Sequence, residues 1–190
     1  IGTSFFNEAL EGRLELVQRD RDGWKGATGA QILSRRFEAV GEEAYIPVNI
    51  TNQLGLFTVQ TFDVGAADLE LGGRYEHSNV RSAPVGVTRN FDALSGSAGV
   101  SVPLAEDLRI GASLAYTERA PAGEELFANG AHAATNSFEI GDVNLDKERS
   151  LGAELVLRGR GDGWRLEAAG FFNRFYNFIY LSPTGAEEDG

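Results

Sequence analysis

The sequence predicts an all-β fold, an antiparallel up-and-down meander of about eight strands. Three observations predict it. Long segments alternate apolar and polar side chains with a period of two. Asp- and Gly-rich hairpin signals fall between those segments. Helical periodicity is scarce along the 190 residues.

The elements follow in chain order. The first three strands read as "GRLELVQRD", "ATGAQILSRRFEA" and "NQLGLFTVQTFDV", and their faces stay open at this level. "DLELGGRYE" sets Leu69, Leu71, Gly73 and Tyr75 against Glu70, Gly72, Arg74 and Glu76. "DALSGSAGVSVPL" sets Leu94, Gly96, Ala98, Val100 and Val102 against Ser95, Ser97, Gly99 and Ser101. "DLRIGASLAYTER" sets Leu108, Ile110, Ala112, Leu114 and Tyr116 against Arg109, Gly111, Ser113, Ala115 and Thr117. "SLGAELVLRG" sets Leu151, Ala153, Leu155 and Leu157 against Gly152, Glu154, Val156 and Arg158. "WRLEAAGFFNRFYNFIYL" alternates too and becomes aromatic toward its end.

The links sharpen this reading. Tight turns are expected at "RDRDGWKG", "DVGAADL", "PLAEDLR" and "RGRGDGW". Longer links are expected between Glu38 and Thr51, between Arg81 and Arg89, between Thr117 and Ser150, and at the opening stretch. Links that are short on one side and long on the other describe an outer-membrane barrel. Trp24 and Trp164 stand just after short turns, and Tyr75 and Tyr116 stand toward the far strand ends. That is where interfacial aromatic girdles fall, although ordinary strands are aromatic-rich as well. A soluble sandwich shows the same alternation with the solvents exchanged. Strand length and link asymmetry favour the barrel.

Composition narrows the function. A net charge of −11 without a Lys/Arg cluster argues against nucleic acid as a partner. The absence of cysteine removes disulfides, thiolate metal sites and cysteine nucleophiles. No 18-residue apolar run is present, which says nothing against strands that cross a membrane. No GxSxG, P-loop, HExxH or GxGxxG motif occurs, so an enzyme is not expected.

The remaining chemistry lies in the long link. "PAGEEL" reads as a short helical start, with Pro121 early and acids in its first turn. His132, with Glu124, Glu125 and Glu139 near it in sequence, is a candidate ligand for zinc or another divalent metal. Glu124, Glu125, Asn129, His132 and Asn136 are the candidate ligand-binding residues. Asp142, Asn144 and Asp146 place oxygens two apart, as at the start of a calcium loop. Lys147 stands where that loop takes Gly, and Ala153 where it takes Glu. The competing reading is a solvated turn. No intrinsic cofactor is expected; the bound metal, if any, would be zinc, an iron chelate or calcium.

At this point a longer string of residues matters. "ERAPAGEELFANGAHAATNSFEIGDVNLDKERSLGAELVLR" resembles the barrel of TonB-dependent outer-membrane receptors. In that family a strand ends in Arg-(Ala/Ser)-Pro, here Arg119, Ala120 and Pro121, and enters an extracellular loop. The loop closes on a "GNPNLKPE"-like segment, here "IGDVNLDKERS", with Val143 in place of the usual Pro. "FFNRFYNFIYL" is similar to the next family strand, and "NGAHAATNSFEIGD" is worded most like the zinc-uptake branch.

The resemblance implies an internal slice of a transmembrane barrel of roughly 22 strands around an N-terminal plug. The expected unit is a single β-barrel segment over residues 1–190, truncated at both ends and without the plug. It implies a receptor in the outer membrane of a Gram-negative bacterium. Its partners would be membrane lipid, a small solute or metal chelate, and the TonB energy-coupling protein acting through the plug. The runner-up is a complete small eight-stranded barrel with a structural or adhesive role.

Overall fold

A computed structural model describes residues 2–41, 44–132 and 137–185. Eight strands form one antiparallel sheet: β1 (Ser4–Arg21), β2 (Trp24–Val40), β3 (Asn49–Asp63), β4 (Asp68–Ser82), β5 (Val87–Ala105), β6 (Leu108–Arg119), β9 (Glu148–Gly161) and β10 (Trp164–Asn177). They pair in the order β1-β2-β3-β4-β5-β6-β9-β10, so each strand of this sheet lies beside the next one of the eight along the chain. Between β6 and β9 lie α1 (Gly123–Phe127) and a small hairpin of β7 (Asn129–His132) and β8 (Ser137–Ile140). The expected meander is the one observed.

Register fixes the faces, because partners across an antiparallel ladder point to the same side. Leu71 pairs with Ala98, Ala98 with Leu114, and Leu114 with Ala153. Ala153 pairs with Phe172, and on the other side Leu56 pairs with Tyr75 and with Ala30. One face of the sheet is therefore an apolar band. The opposite face carries Glu11, Gln31, Gly55, Arg74, Ser95, Ser113, Glu154 and Arg158, and it is polar. The unassigned early strands now take sides: Leu10, Leu14, Leu16, Ile32, Leu54 and Leu56 join the apolar band.

The band has sharp borders. At the loop end Leu56, Tyr75 and Leu94 share a row, and His77 and Asp92 stand one row further out. Beyond them lies a hydrogen-bonded polar row, with Ser34 to Asn52 at 2.8 Å and Asn79 to Asn90 at 2.7 Å. At the turn end Trp24 stacks on Phe62, and its indole N–H donates to Gln60 at 2.8 Å. From Leu108 to Tyr116 the band covers about 26 Å of strand, at about 3.3 Å per residue.

The polar face holds its charges by lateral pairing. Gln31 bridges Glu11 and Arg74, and Arg74 pairs with Glu76. Gly55 makes room for this. A Cβ there would sit 2.6 Å from the Arg74 guanidinium, so the glycine serves a side chain rather than a turn.

Two link expectations need correction. The opening stretch is not a link, because β1 already begins at Ser4. The Arg81–Arg89 segment is a tight turn, since β4 runs to Ser82 and β5 starts at Val87. The Gly86 N–H bonds the Ser82 carbonyl at 3.0 Å with Gly86 at φ 72°, a left-handed residue that closes the hairpin. Long links remain between β2 and β3 and between β6 and β9. At the other end, Asp22 and Gly23 take φ 54° and 81°, the two positive values that a tight β-hairpin turn requires.

Among the described residues β1 and β10 pair only inward, so the sheet has two open edges and does not close on itself.

Candidate functional site

The buried core lies at the loop end, on the polar face. Leu126 and Phe127 of α1 pack on Val80 of β4 and Phe91 of β5, with Val87, Ala120, Val143 and Leu145 around them. The β6–β9 link thus folds back over the sheet instead of projecting away. Asn49 is buried against the helix start; a Cβ on Gly123 would meet its side-chain oxygen at 2.3 Å. The Ala122 N–H donates to the Glu125 carboxylate at 2.7 Å, which satisfies an amide that a helix start leaves open.

Ion pairs fasten the link at several points. Arg119 donates to both Glu125 oxygens at 2.9 and 3.0 Å and to Glu148 at 2.5 Å. This joins the end of β6 to α1 and to the start of β9. Arg35 on β2 donates to Glu124 at 2.5 Å and to Asn7 at 2.9 Å. The Arg89 guanidinium bonds the carbonyls of Val143 and Leu145, holding the second half of the link from β5. Lys147 donates to Glu118 at 2.5 Å and to the Asp92 carbonyl.

The hairpin of β7 and β8 is held from the β2–β3 link. The Asn129 N–H donates to the Tyr45 carbonyl at 2.7 Å. The Tyr45 ring stacks on His132 with centroids 4.4 Å apart and meets Phe5 edge-on at 6.4 Å. His132 Nδ1 lies 2.6 Å from Glu139 across the hairpin. Burial pushes the Tyr45 phenol up from its ordinary value, and the carboxylates of Glu139 and then Glu124 add to the shift. That phenol is therefore a neutral hydrogen-bonding group near two acids.

The expected site residues divide into three sets. Glu124 and Glu125 lie on α1 and are engaged by Arg35 and Arg119. Asn129 and His132 lie on β7, beside Tyr45 and Glu139. Asn136 lies outside the described residues. Asp142, Asn144 and Asp146 form a separate turn. There Asp142 accepts the Asn144 N–H at 2.8 Å, while Asp146 accepts the Lys147 N–H at 2.8 Å and pairs with Arg149 at 3.0 Å. Among the described residues no three His, Asp or Glu side chains converge as a metal cluster. Tyr45, Arg35 and Arg89 were not singled out by the sequence. Their partners lie far away along the chain, and no local pattern announces them.

An antiparallel meander with one apolar band, one polar face and a loop folded over its end defines the wall of a β-barrel with a worked outer rim. The chain belongs to the TonB dependent receptor-like, beta-barrel family, which it matches over residues 3–190. Among solved structures it is similar to a protein titled copper transporter OprC, with a TM-score of 0.74 at 20% identity over 93% of this chain. It is also similar to the Serratia marcescens hemophore receptor HasR, a double mutant in complex with its hemophore HasA and heme, with a TM-score of 0.72 at 20% identity over 93% of this chain. The chain spans 30% and 34% of the length of those two proteins. Its eight strands correspond to a part of a larger barrel.

Proposed function

We propose that this chain forms part of the wall and outer rim of an outer-membrane active-transport receptor. Such a receptor binds a scarce solute at its extracellular loops and admits it by TonB coupling through a plug domain. The observation that carries this reading is the inward fold of the β6–β9 link. Buried Leu126 and Phe127 seat it on the lumen-side face, so its polar groups stand over the mouth. A loop built merely to shield a rim needs no such seat.

The solute we infer is an iron chelate or a metal ion such as zinc. Glu124, Glu125, Asn129, His132 and Asn136 are the proposed contacts, with His132 and Glu139 supplying nitrogen and oxygen donors suited to a borderline metal. Binding and translocation make no covalent bond, which agrees with a chain free of catalytic motifs. The reading of a complete small barrel is not favoured, because β1 and β10 lie at opposite edges of the sheet.

The test is metal accumulation by cells that carry the full-length receptor, measured under metal limitation by elemental analysis. Accumulation of one metal or chelate should require both the receptor and TonB. Equal accumulation after loss of either would end the proposal.

A further inference from the structure

The β7–β8 hairpin is too small to hold its own shape. Its strands have four residues each, and a lone two-stranded hairpin is marginal in water. The orientation of His132, at the end of β7, is therefore set by what the hairpin leans on. One support is the seat that α1 makes on the sheet. The other is the β2–β3 link.

That link is itself anchored. Ile46 is 4% exposed, and the Ser82 hydroxyl donates to the Val48 carbonyl at 2.9 Å. Asn49, which opens β3, is buried and donates to the Pro47 carbonyl at 3.1 Å. Tyr45 thus projects from a fixed stretch of chain, and it meets the hairpin at three places. Its carbonyl accepts the Asn129 N–H at 2.7 Å. Gly130 lies so near that a Cβ there would be 3.0 Å from the Tyr45 Cα, a closeness that only glycine permits. Its ring stacks on His132 with centroids 4.4 Å apart and planes 20° apart.

Two constraints then act on one imidazole. The near-parallel Tyr45 ring fixes the plane of His132, and Glu139, 2.6 Å from Nδ1, fixes its rotation within that plane. A donor already locked in one rotamer loses less freedom when it meets a solute and binds it more tightly. The stack uses the face of the Tyr45 ring, not its hydroxyl.

We infer that Tyr45 is a positioning residue of the solute site. It acts through His132 and not on the metal itself, so the site is built by two links rather than one. This role rests on the reading of His132 as a solute contact, and the experiment separates the failure of the one from the failure of the other.

The experiment measures zinc affinity of the full-length receptor in detergent by competition with a chromogenic chelator. The variants are Tyr45→Leu, Tyr45→Phe, His132→Ala, and Tyr45→Leu combined with His132→Ala. Tyr45→Leu removes the ring and should weaken zinc binding about tenfold, as the loss of a group that orients a ligating histidine does. Tyr45→Phe keeps the ring and should restore wild-type affinity. In the His132→Ala background Tyr45→Leu should cost nothing further, because residues that act through one contact are not additive. Unchanged affinity in Tyr45→Leu overturns the inference. An equal loss in Tyr45→Phe also overturns it, since the hydroxyl and not the stack would then matter. So does a further loss in the His132→Ala background, since Tyr45 would then support the hairpin at large. In each of those cases a weakened His132→Ala leaves the histidine contact standing. Unchanged affinity in His132→Ala removes that contact and the inference together.

Discussion

Leu126 is the residue on which the outer rim turns. It is 1% exposed and contacts a core that includes Val80, itself 1% exposed on the sheet's polar face. Removing its branched end leaves a cavity that the rigid strands below cannot close. Leu126→Ala should cost the loop about 2–4 kcal/mol of local stability. Hydrogen exchange should speed up in α1 and the β7–β8 hairpin while β3 to β5 stay protected. Exchange that is unchanged across the hairpin would mean that the helix does not seat the loop. His132 carries a different expectation. If it is a solute contact, His132→Ala should weaken zinc binding to the full-length receptor by about tenfold or more. Unchanged affinity would leave His132 with a structural role beside Tyr45 and Glu139.

At the scale of elements, hairpin turns and strand faces were the most legible features. Asp22-Gly23 announces a turn because two positive φ values suit few other pairs, and the structure has them at 54° and 81°. Gly23→Val would put a β-branched side chain at that angle, with its Cβ 3.0 Å from the Asp63 Cβ. It should lower the unfolding free energy of the full-length receptor by about 1–2 kcal/mol in urea titrations from lipid vesicles. An unchanged midpoint would show that the turn conformation is not what this glycine supplies. Faces were legible wherever alternation was clean, as from Leu108 to Thr117, because a one-residue slip would turn every leucine to the wrong solvent. The first three strands were not legible in this way. Phe57 and Val59 lie on the polar face, where Arg13 covers the Phe57 ring at 4.1 Å. The sequence overstates the length of the β4–β5 link because Thr88 and Arg89 look like loop residues, yet they pair with Arg81 and Val80. The short helix was readable from Pro121 and the following acids, but its burial was not. What buries it is Val80 and Phe91, with Val87 beside them, a small apolar patch at the loop end of a face that is polar further along the strands.

At the scale of the whole molecule the two faces tell one story. A band of leucines between tyrosines at the loop end and tryptophans at the turn end suits hydrocarbon, while ion pairs such as Arg74–Glu76 and Arg109–Asp68 suit water. The sheet is open at β1 and β10, and it aligns with about a third of larger barrels of the same design. Those edges are where further strands of such a barrel would pair. The chain itself holds no cysteine, so introduced thiols report their positions without interference from this segment. The most direct measurement places single cysteines at Ser113 and Leu114, neighbours on β6, in the full-length receptor in lipid vesicles. Ser113→Cys should react with a charged thiol reagent, and a fluorophore on Leu114→Cys should be quenched by brominated acyl chains. Quenching at position 113 with aqueous reactivity at position 114 would contradict the assignment of the two faces, and with it the account of this chain as a membrane barrel wall.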